Sequence, residues 1–246
     1  MPKKKFFVVS DIHGHCTLAQ QALNQAGFDP DNEDHVFVHC GDLFDRGHEN
    51  KMVFDFVSGI KNKILILGNH DERFREVLKE RVVCDNDIWN GIQPTLFNFF
   101  GITTVEDDGV LHLEEHEELV SNLIALIDSM RNYFETQNHV FVHGWIPLDE
   151  DDDRVPENWR TADLDHWIDA RWTSWLRVFR TATLPDKTIV CGHRATMYAY
   201  KVDPNRYYKD YSIFRAPGVI AIDACTIRSG QVNVLVLEDD LIETQC

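Results

Sequence analysis

Short apolar runs alternate with amphipathic stretches along the N-terminal part of the chain. Residues 5–9, 36–40 and 63–67 are dominated by β-branched, aromatic and aliphatic side chains, which predicts buried strands. Between them, apolar residues recur at helical spacing over 18–26 and 53–57, and each stretch ends near a glycine. Strands that alternate with helices predict right-handed crossovers and a parallel sheet, so that all three strands end at one edge.

The rest of the chain continues this pattern less regularly. Helical periodicity dominates residues 72–138, and we expect this segment to form core or cap helices that carry no chemistry. Further strands are predicted over 139–142 and 188–191. Two short strands then follow over 219–222 and 232–237, and we expect both to be antiparallel. Near the N-terminus, we expect Thr17 to cap the first helix.

No repeat, linker or boundary divides the chain, so we expect one domain over residues 1–246. Within it we expect a helical cap-like insertion around residues 75–135 and a tryptophan-rich segment over residues 145–185. A helix that packs its tryptophans is the favoured interpretation of that segment, and a wall that stacks a substrate ring is the alternative. The acidic run over 149–153 is interpreted as a solvated loop, because it does not have the spacing of a calcium loop.

Five predicted strands are followed at once by histidine, aspartate or asparagine, with glycine alongside. The five groups are Asp11 with His13, Asp42 with Asp45 and Arg46, Asn69 with His70 and Asp71, His143, and His193. Because the carboxyl ends of parallel strands form the edge where ligands bind, we expect these groups to meet in one pocket. Glycine at each strand end suits a crowded site, since it lets the backbone approach a ligand or adopt a positive φ.

Composition limits what such a site serves. The chain has 24 Lys and Arg against 41 Asp and Glu, and the formal charge of −17 argues against nonspecific binding to nucleic acid or to an anionic membrane. No apolar run approaches the roughly 20 residues of a membrane-spanning helix. The basic N-terminus leads into the first strand and is not interpreted as a secretion signal. The six cysteines have no CxxC spacing, which favours reduced thiols in the cytoplasm.

The chain resembles a known family, the metallophosphoesterases, and in particular the phosphoprotein phosphatase branch with its bacterial and phage members. The resemblance covers Val8 to about Asp223 and is carried by Asp11-x-His13-Gly14, Gly41-Asp42-x-x-Asp45-Arg46-Gly47, Gly68-Asn69-His70-Asp71, His143-Gly144 and Gly192-His193. The chain departs from the usual pattern at Ser10, where glycine is common, at Asp71, where glutamate is usual, and at Trp145, where a second glycine is common. None of these departures removes a metal ligand.

The resemblance implies an α/β fold in which a two-layer β-sandwich is flanked by helices, giving four αββα layers. It also implies two divalent metal ions. Asp11, His13 and Asp42 would hold the first ion, and the second would be held by Asp42, Asn69, His143 and His193. Such a mixture of carboxylate, amide and imidazole ligands suits manganese, iron or zinc better than calcium, and we expect manganese first. Nothing in the sequence indicates an oligomeric state.

The resemblance further implies a mechanism. Two cations roughly 3.5–4 Å apart lower the pKa of a bridging water, and the resulting hydroxide attacks phosphorus in line. Arg46 would clamp the phosphoryl oxygens beside Asn69. Arg171 is the candidate for a second clamp, with Arg194 as its competitor.

The same resemblance assigns the proton transfer. His70 would protonate the leaving oxygen while Asp45 accepts a hydrogen bond from its other ring nitrogen. The alternative for Asp45 is that it only caps the following turn.

Three functions are compatible with these residues. The first is a metal-dependent phosphomonoesterase that acts on phosphoserine or phosphothreonine in proteins and on small aryl phosphates. The second is a hydrolase of dinucleoside polyphosphates such as diadenosine tetraphosphate, in which the tryptophan-rich segment stacks a base. The third is a noncatalytic phosphopeptide-binding scaffold, which we would expect to have lost a ligand or the acid.

Overall fold

The first of two β-sheets carries the N-terminal motifs. In a computed structural model that describes residues 3–149, 153–200 and 210–242, this sheet has four strands. They are β1 (Lys4–Val9), β2 (His35–Cys40), β3 (Lys63–Ile66) and β9 (Leu235–Asp239), in the spatial order β3-β2-β1-β9. β1, β2 and β3 are parallel to one another, as the alternation of strands and helices predicts, and β9 is antiparallel to β1.

The second sheet has five strands and carries the C-terminal motifs. They are β4 (Phe134–Glu135), β5 (His139–Phe141), β6 (Thr188–Cys191), β7 (Phe214–Ala216) and β8 (Val219–Ala221), in the order β4-β5-β6-β8-β7. β8 is parallel to β6 and antiparallel only to β7. The expectation that both C-terminal strands are antiparallel is therefore wrong for β8. The chain reverses direction between the short strand β7, which was not predicted, and β8, so that β8 runs parallel to β6.

Helices cover the outer faces of both sheets. Their bounds are α1 (Cys16–Gln25), α2 (Asn50–Gly59), α3 (Asn69–Glu80), α4 (Asp85–Trp89), α5 (Gln93–Phe100), α6 (Glu117–Asp128), α7 (Leu164–Trp172), α8 (Trp175–Val178) and α9 (Thr226–Ser229). The helices α3 to α6 confirm the largely helical segment over 72–138. In the part of the chain that the structure describes, none of the helices combines the length and the apolar character of a membrane span.

Thr17 does not cap α1. The helix begins at Cys16, and Thr17 is its second residue. The Thr17 backbone N–H and hydroxyl both donate to the Glu49 carboxylate, at 2.8 and 2.7 Å. The expectation of a Thr17 cap is therefore wrong, because the side chain joins α1 to the residue that precedes α2.

Three apolar clusters show the four layers that were expected. One cluster lies between the sheets and joins residues such as Phe6 and Val38 of the first sheet to Phe141 and Ile220 of the second. Another packs α1, α2, α3, α5 and α6 on the outer face of the first sheet, and the remaining one packs α7 and α8 on the outer face of the second. The αββα sandwich is thus confirmed.

Most of the tryptophan-rich segment packs in the core. Trp145, Trp159, Trp167 and Trp175 are buried in the outer layer of the second sheet, which confirms the packing interpretation for these four. Trp172 differs from them, because it is 54% exposed and its ring centroid lies 6.0 Å from that of His193. Of the acidic run over 149–153, residues 150–152 lie outside the described residues.

Candidate metal centre

Residues from the carboxyl ends of five strands meet at one edge of the sandwich. They form two groups of metal-ligating side chains, His13 with Asp42 and His70, and Asp42 with His143 and His193. In each group the ligand atoms all lie within 4.8 Å of one another. Asp42 belongs to both groups, so the arrangement has the form of two adjoining sites that share one carboxylate.

Strained backbone aims these side chains. Among the described residues, nine that are not glycine have a positive φ, and six of these belong to the predicted site: Asp11, His13, Asp42, Asp45, Arg46 and His193. Such residues are uncommon, and each costs on the order of 1–3 kcal/mol. Gly41 has a φ of +83°, and a Cβ there would lie 2.5 Å from His143 Nδ1. Glycine is therefore required for His143 to approach the end of β2.

Backbone carbonyls orient two of the imidazoles. His13 Nδ1 donates to Phe44 O at 2.8 Å, and His143 Nδ1 donates to Cys40 O at 2.9 Å. Each ring is therefore left with its Nε2 lone pair facing the pocket. Burial lowers the pKa of both rings, and it lowers the pKa of His193 to about 3, so all three are neutral near pH 7. Neutral imidazole is the form that binds a metal ion.

The donor atoms of this pocket fit divalent cations. His143 Nε2 lies 2.9 Å from Asn69 Oδ1 and 3.5 Å from Asp42 Oδ1. His13 Nε2 lies 3.5 Å from Asp42 Oδ2. These electron-rich atoms point at one another, and a shared cation would turn their mutual repulsion into coordination. A set of imidazole, amide and carboxylate donors suits a transition metal.

The pKa values of two buried carboxyl groups, Asp42 and Asp11, are shifted in opposite directions. Burial opposes ionisation of Asp42, yet His143, His70 and His13 together hold its pKa below the usual range. The pKa of Asp11 is raised by burial and by the negative charges of Asp223 and Asp42.

The Asp11 carboxylate lies outside the two groups described above. It accepts hydrogen bonds from the His193 backbone N–H, at 3.2 and 2.9 Å. Its assignment to the first metal ion remains a prediction.

Asp45 holds His70 in place and is itself held by Thr95. His70 Nδ1 lies 2.8 Å from Asp45 Oδ2. The Thr95 hydroxyl donates to Asp45 Oδ1 at 2.9 Å and accepts from the Asp45 backbone N–H at 3.0 Å. Burial lowers the pKa of His70, but the charges of Asp42 and Asp45 outweigh this effect and raise it. This environment favours a ring that carries a proton and can donate it.

Arg46 spans the two histidines of the first group. Its Nη1 donates to His13 Nε2 at 2.9 Å and its Nη2 to His70 Nε2 at 2.8 Å. A protonated His70 has no lone pair at Nε2, so this contact requires the neutral ring. His70 Nε2 could therefore take up a proton only if Arg46 left the ring for an anion. The backbone of Arg46 is fixed by a hydrogen bond to Gly91 O at 2.7 Å.

Asp71 organises the backbone behind the ligands. Its carboxylate accepts from the N–H groups of Asp42 at 2.8 Å, Leu43 at 2.9 Å and Gly68 at 3.2 Å. Burial and the charge of Asp42 raise its pKa to about 7. The residue that departs from the usual glutamate thus ties the end of β2 to the start of α3.

The two candidates for a second phosphate clamp occupy different positions. Arg171 is 2% exposed; its Nε donates to Glu72 at 3.0 Å and its Nη1 to Asn132 at 2.8 Å, while its Nη2 also contacts Glu72. Arg194 is exposed and lines the same cavity as Arg46 and His193. The role of Arg171 as a phosphate clamp remains a prediction. In the structure its guanidinium is paired with the Glu72 carboxylate.

Three residues near the centre were missed by sequence reasoning. Thr95 and Gly91 lie in the helical segment that was expected to carry no chemistry. Asp223 is 6% exposed and follows β8, and burial together with Asp42 raises its pKa to about 6. A signal existed only for Asp223, because it is an aspartate directly after a predicted strand.

Two clefts leave the metal centre. The acidic groove, about 240 Å³, is lined by Asp45, His70, Glu72, Glu76, Asp87 and Trp172, among others. The arginine cleft, about 510 Å³, is lined by Arg46, Trp89, Arg194, Asp223 and Arg228, among others. Asn90 lines both, so the two clefts adjoin at the loop that follows α4.

Comparison with curated proteins gives partial matches to dinucleoside tetraphosphatases. The chain is 41% identical over 64 residues to the symmetrical bis(5'-nucleosyl)-tetraphosphatase of Aeromonas hydrophila, and 38% identical over 66 residues to that of Proteus mirabilis. Each match covers 26% of this chain and 23% of the relative. These short alignments do not extend over the whole of either protein.

Solved structures with the same fold have several activities in their names. A putative diadenosine tetraphosphatase superposes with a TM-score of 0.57 at 14% identity, over 97% of this chain and 96% of its own. A cold-active protein tyrosine phosphatase of a Shewanella species superposes with a TM-score of 0.54 at 16% identity, over 96% of this chain and 75% of its own. A serine/threonine phosphatase of Saccharomyces cerevisiae superposes with a TM-score of 0.50 at 14% identity, over 99% of this chain and 82% of its own. At these identities the likeness shows the fold alone.

A family model described as calcineurin-like phosphoesterase matches residues 4–214, a span that includes the five strand ends of the metal centre. Enzymes of this family are hydrolases that use metal ions. The chain belongs to the calcineurin-like phosphoesterase family.

Proposed function

We propose that this phosphoesterase uses a dinuclear metal centre to transfer a phosphoryl group directly to water. The observation that carries the proposal is the pair of ligand groups that share Asp42. Asp11, His13 and Asp42 would hold one ion, and Asp42, Asn69, His143 and His193 would hold the other. When bound, two divalent ions lower the pKa of a water molecule and neutralise phosphoryl oxygens. Manganese is our first candidate, with iron or zinc as alternatives.

Three residues of the chain act on the phosphoryl group and its leaving oxygen. Arg46 lies between His13 and His70, and its planar fork matches two phosphoryl oxygens better than it matches two ring nitrogens. Once Arg46 binds the substrate, His70 Nε2 is free to carry a proton and donate it to the leaving oxygen. Asp45 keeps the ring oriented through Nδ1 and stabilises its charge.

Arg194 is the better placed second clamp. Its guanidinium is exposed in the cavity that Arg46 lines, whereas that of Arg171 is buried against Glu72. Removing Arg171 from its carboxylate would leave Glu72 buried without its partner, which is costly. We therefore assign Arg171 to holding α7 against α3 through Glu72.

The proposed substrate is a phosphomonoester, with phosphoserine or phosphothreonine in proteins as its source. The five motif blocks resemble the branch that cleaves such esters. The acidic groove, lined by His70, and the arginine cleft, lined by Arg46, also leave room on either side of the contact between these two residues, which suits a peptide chain that continues in two directions from the phosphorylated residue. The five described cysteines are free, which suits the cytoplasm as the proposed compartment.

Dinucleoside tetraphosphates are the second candidate substrate. The specific observation in their favour is the arginine cleft, which places cationic side chains and an exposed tryptophan next to the metal centre. The partial sequence matches to symmetrical bis(5'-nucleosyl)-tetraphosphatases point the same way.

One experiment tests both the chemistry and the substrate. The protein is stripped of metal, reloaded with manganese, iron or zinc, and offered p-nitrophenyl phosphate, a phosphoserine peptide and diadenosine tetraphosphate side by side. We expect hydrolysis that requires the added metal, and chromatography separates release of inorganic phosphate from release of ADP. Failure to cleave any of the three with any metal would contradict the proposed function.

A further inference from the structure

The arginine cleft is a positive region on an acidic protein. Arg46, Arg194 and Arg228 line it, although the whole chain has a formal charge of −17. Arg194 and Arg228 are both exposed, and within residues 3–149, 153–200 and 210–242 neither forms a salt bridge. Three arginines against one carboxylate among the residues that line the cleft give it a local positive charge, which suits an anionic ligand.

One carboxylate shares this cleft, and its position limits its effect. Asp223 is 6% exposed, and it accepts a hydrogen bond from the Cys225 backbone N–H at 2.6 Å. Its negative charge opposes an incoming anion. The charges that reach the solvent-filled part of the cleft are nevertheless those of the arginines.

The acidic groove on the other side of the centre has the opposite character. Glu72, Glu76 and Asp87 line it, and its one arginine, Arg73, is bound to Asp87 at 2.7 and 2.9 Å and to Glu76 at 3.0 Å. A substrate with a second anionic group would be repelled there and attracted into the arginine cleft. The charged arm of a substrate would therefore bind in the arginine cleft, and its other arm would lie toward the acidic groove.

Trp89 adds an aromatic surface at the rim of the arginine cleft. It is 86% exposed, whereas four of the six tryptophans are almost fully buried. Two residues further on, Gly91 O accepts the Arg46 N–H at 2.7 Å, and a Cβ at Gly91 would lie 2.8 Å from Arg46 Cγ. The end of α4 is thus seated on Arg46, which places Trp89 at the rim of the arginine cleft.

We propose that the arginine cleft binds a nucleotide arm of the substrate, with Arg228 holding a phosphate group beyond the one that Arg46 and Arg194 clamp, and Trp89 stacking the base. This inference rests on the proposed function and, of its two candidate substrates, selects the one that carries a nucleotide. A nucleoside diphosphate carries two negative phosphates and a planar ring within one small molecule, which is what this cleft offers to bind. An acidic peptide supplies the charge but no ring at a fixed spacing from it. A cavity of about 510 Å³ lies within the usual range for small-molecule sites.

The test compares ADP with inorganic phosphate as inhibitors of p-nitrophenyl phosphate hydrolysis. Trp89→Ala and Arg228→Gln are used because neither residue belongs to the catalytic machinery. Each substitution should raise the inhibition constant of ADP about tenfold, since stacking and charge each supply part of the affinity. The inhibition constant of phosphate and the rate with p-nitrophenyl phosphate should stay within about twofold of wild type. Arg215→Gln, an exposed arginine on β7 that does not line the cleft, is the matched control and should change nothing.

The outcomes separate this inference from the proposed function. Suppose that the enzyme cleaves p-nitrophenyl phosphate but ADP inhibits it no better than phosphate does, or that ADP inhibits both variants as strongly as wild type. The proposed nucleotide site is then wrong, whereas the proposed hydrolase activity is unaffected. If Arg228→Gln weakens binding of an acidic phosphopeptide while Trp89→Ala leaves ADP unaffected, the cleft is a peptide site and the inference fails. Calorimetric titration of ADP into the same variants tests the site even if no substrate is cleaved, and equal affinities would overturn it.

Discussion

The two sides of the metal centre are held in different ways. On the first-sheet side, Asp45, His70 and Thr95 bond to one another, and Asp71 ties three backbone N–H groups together. On the second-sheet side, His143 is oriented by a single carbonyl and lies against Asn69. The first side thus adds a chain of the protein's own hydrogen bonds around His70, whereas the rings of His13 and His143 are each held by one backbone carbonyl. Substitutions on the first side should therefore affect catalysis in ways that metal content alone does not explain.

The largest effect is expected at the residue that joins the two sides. Asp42→Asn removes the charge that both ions would share, and activity should fall by more than about a hundredfold, the upper range for a group that only orients a ligand. Steady-state rates with p-nitrophenyl phosphate under metal excess measure this loss. Asp55→Asn, an exposed aspartate paired with Lys51 on α2, is the matched control and should retain full activity. Normal turnover by Asp42→Asn would remove the bridging assignment.

The next effect concerns proton donation on the first-sheet side. His70→Asn should slow hydrolysis of an alkyl phosphate about a hundredfold, the lower range for general acid catalysis, but slow a nitrophenyl ester only a few-fold. The difference arises because nitrophenolate leaves readily as an anion, whereas an alkoxide needs the proton. His112→Asn, at a mostly exposed histidine, serves as the control. Equal losses on both esters would reject His70 as the acid.

A smaller effect is expected at Thr95, which acts through Asp45. Thr95→Val removes the hydroxyl that fixes Asp45 Oδ1 and should lower the rate with an alkyl phosphate about tenfold, as for other groups that orient a catalytic partner. The nitrophenyl ester should change less, and Thr95→Ser should restore the rate. A purely structural role would instead reduce both esters equally and would not depend on the leaving group.

The smallest effect is a difference in pH dependence between the two metal sites. The pKa of Asp11 is raised, so Asp11 takes up a proton at a higher pH than an ordinary carboxyl, and acidification makes protons compete for the first site. Asn69 does not titrate, and the pKa values of His143 and His193 are lowered, so the second site meets less competition. When metal titrations are repeated between about pH 8 and about pH 6, the metal affinity of the first site should fall more than that of the second. Equal weakening, or greater loss at the second site, would contradict this order.

The meeting of His13, Asp42, His70, His143 and His193 was predictable from sequence, because each follows a short apolar strand and a parallel sheet brings strand ends together. The same reasoning failed for Thr95 and Gly91, since their helical segment shows only apolar periodicity and their contacts join residues about 50 positions apart. The family resemblance indicates Arg171 as a candidate clamp, but it does not reveal that Glu72 lies within reach of its guanidinium. β4 and β7 are too short for a hydrophobic pattern, so the direction of β8 was not predictable.

The most direct test of the two-ion centre is the metal content of four proteins after loading and gel filtration, measured by inductively coupled plasma mass spectrometry. Wild type should retain two ions per chain, His13→Asn and His143→Asn one each, and Asp42→Asn fewer than either, because Asp42 belongs to both groups. A wild-type protein that retains one ion or none, or an Asp42→Asn variant that keeps both, would contradict the account.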